Sequence, residues 1–360
     1  MKSKLLRKGF PFLITVFALQ ATYSQTLETK IDSVITTVFK DKEGPGGVFL
    51  VAKDGKPIYR KAYGKANLEL DVAMKPENVF QIGSMTKQFT AFGILILQEQ
   101  GKLQVHDAIS KYITEYPNGN SITIHQLLTH TSGIKDFTKM KSIMSIAKKD
   151  LTPEELVDFF KDEPVDFQPG EQFEYNNSGY VVLGYIIELV SGESYEDFIG
   201  QQIFQKVGMD NSRYASDRDI VKNRAYGYHN RGEFSNKMYV SLSIPYASGS
   251  LMSSVDDMLK WQEAINKNRL VSKNTIHNVF TKYTLNNGEQ FTYGYGWHLK
   301  DIDGIPTREH GGSIFGFKSM GVYVPSLDIY VIGFSNCDCN SPTKVTKDIA
   351  SFVINEKLKN

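Results

Sequence analysis

The chain is poor in cysteine, with only 2 in 360 residues, and those two sulfurs can build neither a disulfide scaffold nor a structural zinc site. It lacks any apolar run near the ~20 residues that span a bilayer as a helix, so no stable membrane span is expected. It also lacks an excess of one charge. The 41 Lys and Arg nearly balance the 40 Asp and Glu, and no dense basic run offers a nucleic-acid footprint. The seven histidines show no metal-ligand spacing, and there is no Gly-rich phosphate loop, His-Glu-x-x-His or Gly-x-Ser-x-Gly, so neither metal nor cofactor is expected. Disorder is excluded by 41% hydrophobic and 12% aromatic residues, which are ample for a large core.

Residues 1–24 read as an address. Lys2, Lys4, Arg7 and Lys8 precede an apolar stretch from Phe10 to Leu19, and small residues follow at Thr22 and Ser24. This is the order of a secretory signal peptide, and it predicts a periplasmic or secreted protein; a retained N-terminal anchor is the alternative.

The remainder, 25–360, reads as strands, then helices, then strands and a last helix. Asp54-Gly55 between two β-rich runs predicts a hairpin over 46–64. Helices are predicted over Ser84–Gln100, Val181–Val190 and Val255–Ile265, with Ser191-Gly192 stopping the second. Thr152-Pro153-Glu154-Glu155 is a helix-start signal. Gly316–Val324 and Asp328–Ser335 read as strands around the turn Pro325-Ser326-Leu327, and Ser341-Pro342 opens a terminal helix. Residues 217–250, with little periodicity and four tyrosines, read as a long loop or small hairpin beside a cleft. The strands at both ends are expected to pair in one antiparallel sheet. That gives an α/β (α+β) lobe from about 25–100 and 285–360, and a mostly helical lobe from about 101–284.

Candidate chemistry starts from Ser-x-x-Lys, which occurs at Ser84/Lys87, Ser145/Lys148 and Ser341/Lys344. Ser341 precedes a proline at a helix start and reads as a cap. Ser145 and Lys148 lie in a polar stretch and read as a solvated face. Ser84 and Lys87 open the most apolar helix, where residues three apart share a face. A lysine there, in the positive field of a first helical turn, is biased toward the neutral form that accepts a proton. The pair is an activated nucleophile, or else a capping serine with a snorkelling lysine. Tyr175 and Asn177 sit two residues apart before a buried helix, where a phenol relays a proton and an amide orients it, unless Asn176-Asn177-Ser178-Gly179 is only a turn. His310-Gly311-Gly312-Ser313 places glycines in a strand, which admits a close second backbone or marks a bulge. Cys337 and Cys339 read as ordinary strand-end residues, since a one-residue loop strains a disulfide.

With these three segments in this order, the sequence resembles the penicillin-recognising serine hydrolases, in the branch of class C β-lactamases, D-alanyl-D-alanine carboxypeptidases, D-aminopeptidases and related esterases. The resemblance rests on Ser84/Lys87, Tyr175/Asn177 and His310/Gly312. It is supported by the runs 127–133 (Leu-Leu-Thr-His-Thr-Ser-Gly), 248–261 and 293–297 (Tyr-Gly-Tyr-Gly-Trp). It implies a β-lactamase-like fold and no cofactor. Ser84 is then the nucleophile, Lys87 and Tyr175 the base and acid, and the N–H groups of Ser84 and Ser313 an oxyanion site. Asn177, His310 and Gly312 contact the substrate, a small molecule or a peptide of cell-wall origin. His310 stands where class C β-lactamases carry lysine. A permanent carboxylate anchor is therefore missing there, and the resemblance favours peptidase or esterase activity over strong β-lactamase activity. Arg308 is a substitute anchor or a solvated residue, and His130 a turn residue. A non-catalytic ligand-binding or sensor protein on the same fold is the alternative, and an envelope scaffold using the tyrosines of 217–250 a third.

Overall fold

Asp54 and Gly55 both take positive φ (51° and 70°), and they turn the chain between β1 (Gly47–Lys53) and β2 (Lys56–Tyr63). In the computed structural model, which describes residues 27–358, this hairpin joins four strands from the far end of the chain. These are β3 (His298–Ile302), β4 (Ile305–Ile314), β5 (Phe317–Val324) and β6 (Ile329–Ser335). The sheet order is β3-β4-β5-β6-β1-β2, and every neighbouring pair is antiparallel. The expected closure of the two chain ends is the β1–β6 pairing, which places Gly47 opposite Ser335 and Lys53 opposite Ile329. The signal-peptide reading of 1–24 lies outside the described residues.

Both faces of the sheet are covered, as the period of two in β1 requires. Phe49 and Val51 face α1 (residues 27–36) and the terminal helix, where they meet Ile31, Ile35, Ile349 and Val353. Val48, Leu50 and Ala52 face the larger core, which runs through α2 (Thr86–Glu99), α3 (Asn177–Ser191) and α4 (Val255–Asn266). The terminal helix, α5 (Pro342–Leu358), starts where Ser341-Pro342 predicts. Helix α2 buries every residue from Thr86 to Leu97, so it is a central post and not an amphipathic surface helix. Gly93 lets α3 approach, since a side-chain carbon there would lie 2.8 Å from Ile187 Cδ1. Helix α3 ends on Gly192 in the left-handed conformation, as its sequence signal implies. Thr152 and Glu155 form the expected capping box.

The region 217–250 holds a small hairpin, Tyr228–Asn230 with Phe234–Asn236. Cys337 and Cys339 are joined in a disulfide, which corrects their reading as ordinary strand-end residues. The segment leaves the sheet immediately after Ser335, where the backbone is no longer held extended and its two sulfurs can meet across Asp338. Among the described residues, no helix is long and apolar enough to cross a membrane, and no cluster of three potential metal ligands occurs.

Candidate active site

The first turn of α2 decides what the Ser84/Lys87 pair is. Ser84 lies in a single 3-10 turn, Gly83–Met85, immediately before α2, and its hydroxyl caps neither element. Lys87 is fully buried. The capping serine and the snorkelling lysine are therefore both excluded. Gly83 adopts φ +54° with its Cα against β4, and a side-chain carbon there would fall 2.8 Å from Ser313 N. Strand β3 pairs with β4 only as far as Glu309, so the edge of β4 beyond it is open to this turn. Gly312 completes the fit, since any β-carbon on it would strike Ile82 O at 1.9 Å. Glycine at 83 and 312 thus brings the backbones of Ser84 and Ser313 together.

Lys87 Nζ has three oxygen neighbours: Ser84 Oγ at 3.3 Å, Asn177 Oδ1 at 2.8 Å and Ser248 O at 2.9 Å. A neutral amine has two N–H groups and one lone pair. The two shorter contacts occupy both hydrogens, because Asn177 Oδ1 and the Ser248 carbonyl accept only. The lone pair is then left for the Ser84 hydroxyl. Burial drives the lysine from its ordinary 10.5 to about 7, and Asp136 opposes this in part. Desolvation, more than the helix field invoked from sequence, is the cause. Below this value the same nitrogen is an ammonium donating to all three oxygens.

Tyr175 stands over the pair, with Lys87 Nζ 4.8 Å from its ring centroid. Its hydroxyl is buried and closes no hydrogen bond, although it lies near enough to Ser84 for the serine to oppose the upward shift that burial imposes on the phenol. An unpartnered buried hydroxyl costs about 1–3 kcal/mol, and here it lies beside the Ser84 side chain. His130 shapes this segment. It sits in the left-handed region (φ 60°), its Nδ1 accepts from Asn176 N–H at 3.1 Å, and its ring lies 4.4 Å from that of Tyr175. It is a turn residue that positions the phenol. Asn177 accepts from Lys87 through Oδ1, while its Nδ2 donates to Asp136 Oδ2 (3.3 Å) and Thr138 Oγ1 (3.2 Å). Both amide hydrogens are therefore engaged by the protein.

Ser84, Tyr175, Asn177 and Ser313 line one cavity of about 480 Å³. His310 and Gly312 do not line it. His310 is buried behind β4, where Nε2 meets Tyr293 OH at 3.1 Å and Nδ1 meets Gly311 O at 2.6 Å. Burial lowers its pKa well below the ordinary value, so it offers no charge to a ligand. Arg308 is half-buried, with its guanidinium packed 3.6 Å over the Phe280 ring, and it does not line the cavity. Glu309 is buried and pairs with Lys347 at 2.7 Å.

Five contributors escaped the sequence reading. The Ser248 carbonyl fixes one lysine hydrogen; the small-residue run 248–254 was its only signal. Asp136 orients Asn177. Met144, in the stretch read as a solvated face, lines the cavity with Ile143 and Ala147 and is itself 57% exposed. Lys318 and Asp338 stand on the cavity wall and belong to no local pattern.

Comparison with known proteins gives the chain its family. The profile of the Beta-lactamase family matches residues 31–353. A penicillin-binding protein of Bacillus subtilis (strain 168) is 32% identical over 299 residues, covering 78% of this chain and 65% of its own length. The chain thus spans a little under two thirds of that relative. The octameric penicillin-binding protein homologue from Pyrococcus abyssi superposes with a TM-score of 0.80 at 31% identity, over 91% of this chain and 77% of that one. The D-amino acid amidase from Ochrobactrum anthropi SV3 shares the fold at a TM-score of 0.77 and 23% identity, covering 92% of this chain and 100% of its own. With a family match spanning nearly all the described residues, and a buried lysine on a serine at its centre, the chain belongs to the Beta-lactamase family, the penicillin-recognising serine hydrolases.

Proposed function

We propose that this chain is an exported hydrolase that cleaves an amide or ester through an acyl-enzyme on Ser84. Ser84 Oγ attacks the substrate carbonyl, and its proton passes to the Lys87 lone pair. The oxyanion so formed lies by the Ser84 and Ser313 backbones, where N–H donors stabilise it. As the carbonyl re-forms, the bond to the leaving nitrogen or oxygen breaks, and that atom takes a proton from Tyr175, which regains one from Lys87. Water then attacks the ester, with the proton path reversed.

The observation that carries this reading is the Lys87 nitrogen, buried, with both hydrogens committed elsewhere and its remaining direction on Ser84. The cavity supports a donor with an apolar acyl part, since Phe137, Ile143, Met144, Val240 and Ile244 form one wall. A D-amino-acid peptide of cell-wall origin, a β-lactam and a small ester all fit that description. The buried, uncharged His310 favours peptidase or esterase chemistry over rapid β-lactam hydrolysis. Export is supported by the signal-like first 24 residues and by the Cys337–Cys339 disulfide, a bond of oxidising compartments.

Labelling with a fluorescent penicillin and a fluorophosphonate tests the reaction. Ser84 is expected to take at least one of them, and folded protein refusing both contradicts the reading. Turnover of nitrocefin, a D-alanyl-D-alanine peptide, a D-amino-acid amide and p-nitrophenyl butyrate then assigns the donor. If only the ester is hydrolysed, the peptidase assignment falls.

A further inference from the structure

The mechanism leaves two charges on the cavity wall unused. Lys318, the second residue of β5, lies directly opposite Ser313 in the ladder, and its Nζ donates to Ser313 Oγ at 2.7 Å. No carboxylate pairs with it among the described residues, so two of its three hydrogens are available in a position beside the Ser313 backbone. Asp338 lines the same cavity from the segment that follows β6. Its Oδ2 is bonded to His229 Nδ1. Met238 N–H donates to His229 Nε2 at 3.0 Å, so the ring proton sits on Nδ1, facing the carboxylate. The pair therefore keeps the negative charge of Asp338, and Oδ1 remains available on a side chain that is 33% exposed. The Cys337–Cys339 disulfide brackets this residue, and Asp338 N–H is tied to Tyr228 O at 3.3 Å, so the carboxylate is held in place from both sides.

Opposite charges that share one concave surface attract each other. Here each is instead held by a neutral partner, Ser313 for one and His229 for the other, and the two make no ion pair together. Two opposite charges kept apart in a cavity that is otherwise mostly apolar form a complementary field for a ligand carrying both signs.

We propose that the cavity selects a zwitterionic acyl donor, with its carboxylate on Lys318 and its ammonium on Asp338. This rests on the acyl-transfer reading for its consequence in turnover, but the recognition is a binding property and is testable without turnover. It assigns the carboxylate anchor missing at His310 to another strand, and it adds a cation site that the sequence did not reveal.

The test is calorimetric binding to the Ser84→Ala protein of three probes: the dipeptide D-phenylalanyl-D-alanine, its N-acetyl form and its C-terminal amide. The free dipeptide is expected to bind about two- to five-fold more tightly than either blocked form, the range of a partly exposed charge pair. On the Ser84→Ala background, Lys318→Met should erase the penalty for amidation and leave that for acetylation; Asp338→Asn should do the reverse. Lys318→Arg should keep the native pattern, which separates lost charge from lost folding. Equal binding of all three probes overturns the proposal, as does a uniform weakening of all three by both variants. If the matched pattern appears but wild-type protein takes no label on Ser84, the recognition stands and the acyl-transfer reading falls. Labelling without the pattern has the opposite meaning.

Discussion

Replacing Lys87 with methionine keeps most of the volume and removes the proposed base. Folding moves the lysine from 10.5 to about 7 by burial. At ~1.36 kcal/mol for each pH unit, this displacement corresponds to ~5 kcal/mol of differential stability. The sign follows from proton counting. Between about pH 7 and 10.5 the unfolded chain holds a proton that the folded chain has released, so wild-type stability rises with pH across that window. Below pH 7 both states are protonated and this contribution is flat, with the full cost of burying an ammonium in place. Lys87→Met removes the titration. It also leaves Asn177 Oδ1 and the Ser248 carbonyl without a donor, an offset of about 1–3 kcal/mol each that does not depend on pH. The measurement is urea unfolding of wild type and variant at intervals from pH 6 to 10. Their difference should shift by several kcal/mol in favour of wild type as pH rises, and acyl-enzyme formation by wild type should rise with pH through about 7. A difference that stays flat with pH would mean that Lys87 is not neutralised by folding, and the proposed base would be lost with it.

Tyr175→Phe should lower kcat by about 10²- to 10⁴-fold with little change in KM, while stability rises by up to about 1–3 kcal/mol, because the lost hydroxyl is buried without a partner; an unaltered kcat in a destabilised protein would make the residue structural. Gly312→Ala should destabilise by about 1–3 kcal/mol, read by thermal or urea unfolding, since its new carbon meets Ile82 O at 1.9 Å and Ser319 Oγ at 2.4 Å and must push β4 from the turn carrying Ser84. Reducing Cys337–Cys339 should cost only about 1–2 kcal/mol, because the closed loop is three residues long, and differential melting with and without dithiothreitol checks it.

Much of the frame was legible because it is local. Asp54-Gly55 demands positive φ, Thr152 with Glu155 makes a capping box, and Ser191-Gly192 ends a helix. The Ser84/Lys87 pairing follows from helical spacing. The polar stretch around Ser145 illustrates the opposite case. Its charged residues are solvated as read, yet Ile143, Met144 and Ala147 between them turn to the cavity, because irregular 3-10 turns have no periodicity from which to infer a facing side. His310 misled for another reason. A strand residue points to one face or the other, and only the packing of Tyr293 against it shows that this face is the buried one.

The order of residues by itself determined a serine three positions before a lysine, the turns, the caps and the two-fold alternation of the strands, since each depends on neighbours a few bonds away. It could not determine that Lys87 would be sealed under Tyr175, bound by an amide ninety residues on and by a carbonyl 161 residues on. Nor could it place Lys318 and Asp338 on the wall of the cavity that Ser84 also lines. A lysine becomes a base through loss of solvent, and a charge becomes a recognition element through the company it is denied. Both depend on which distant segments fill the surrounding space, and that was decided by the tertiary structure alone.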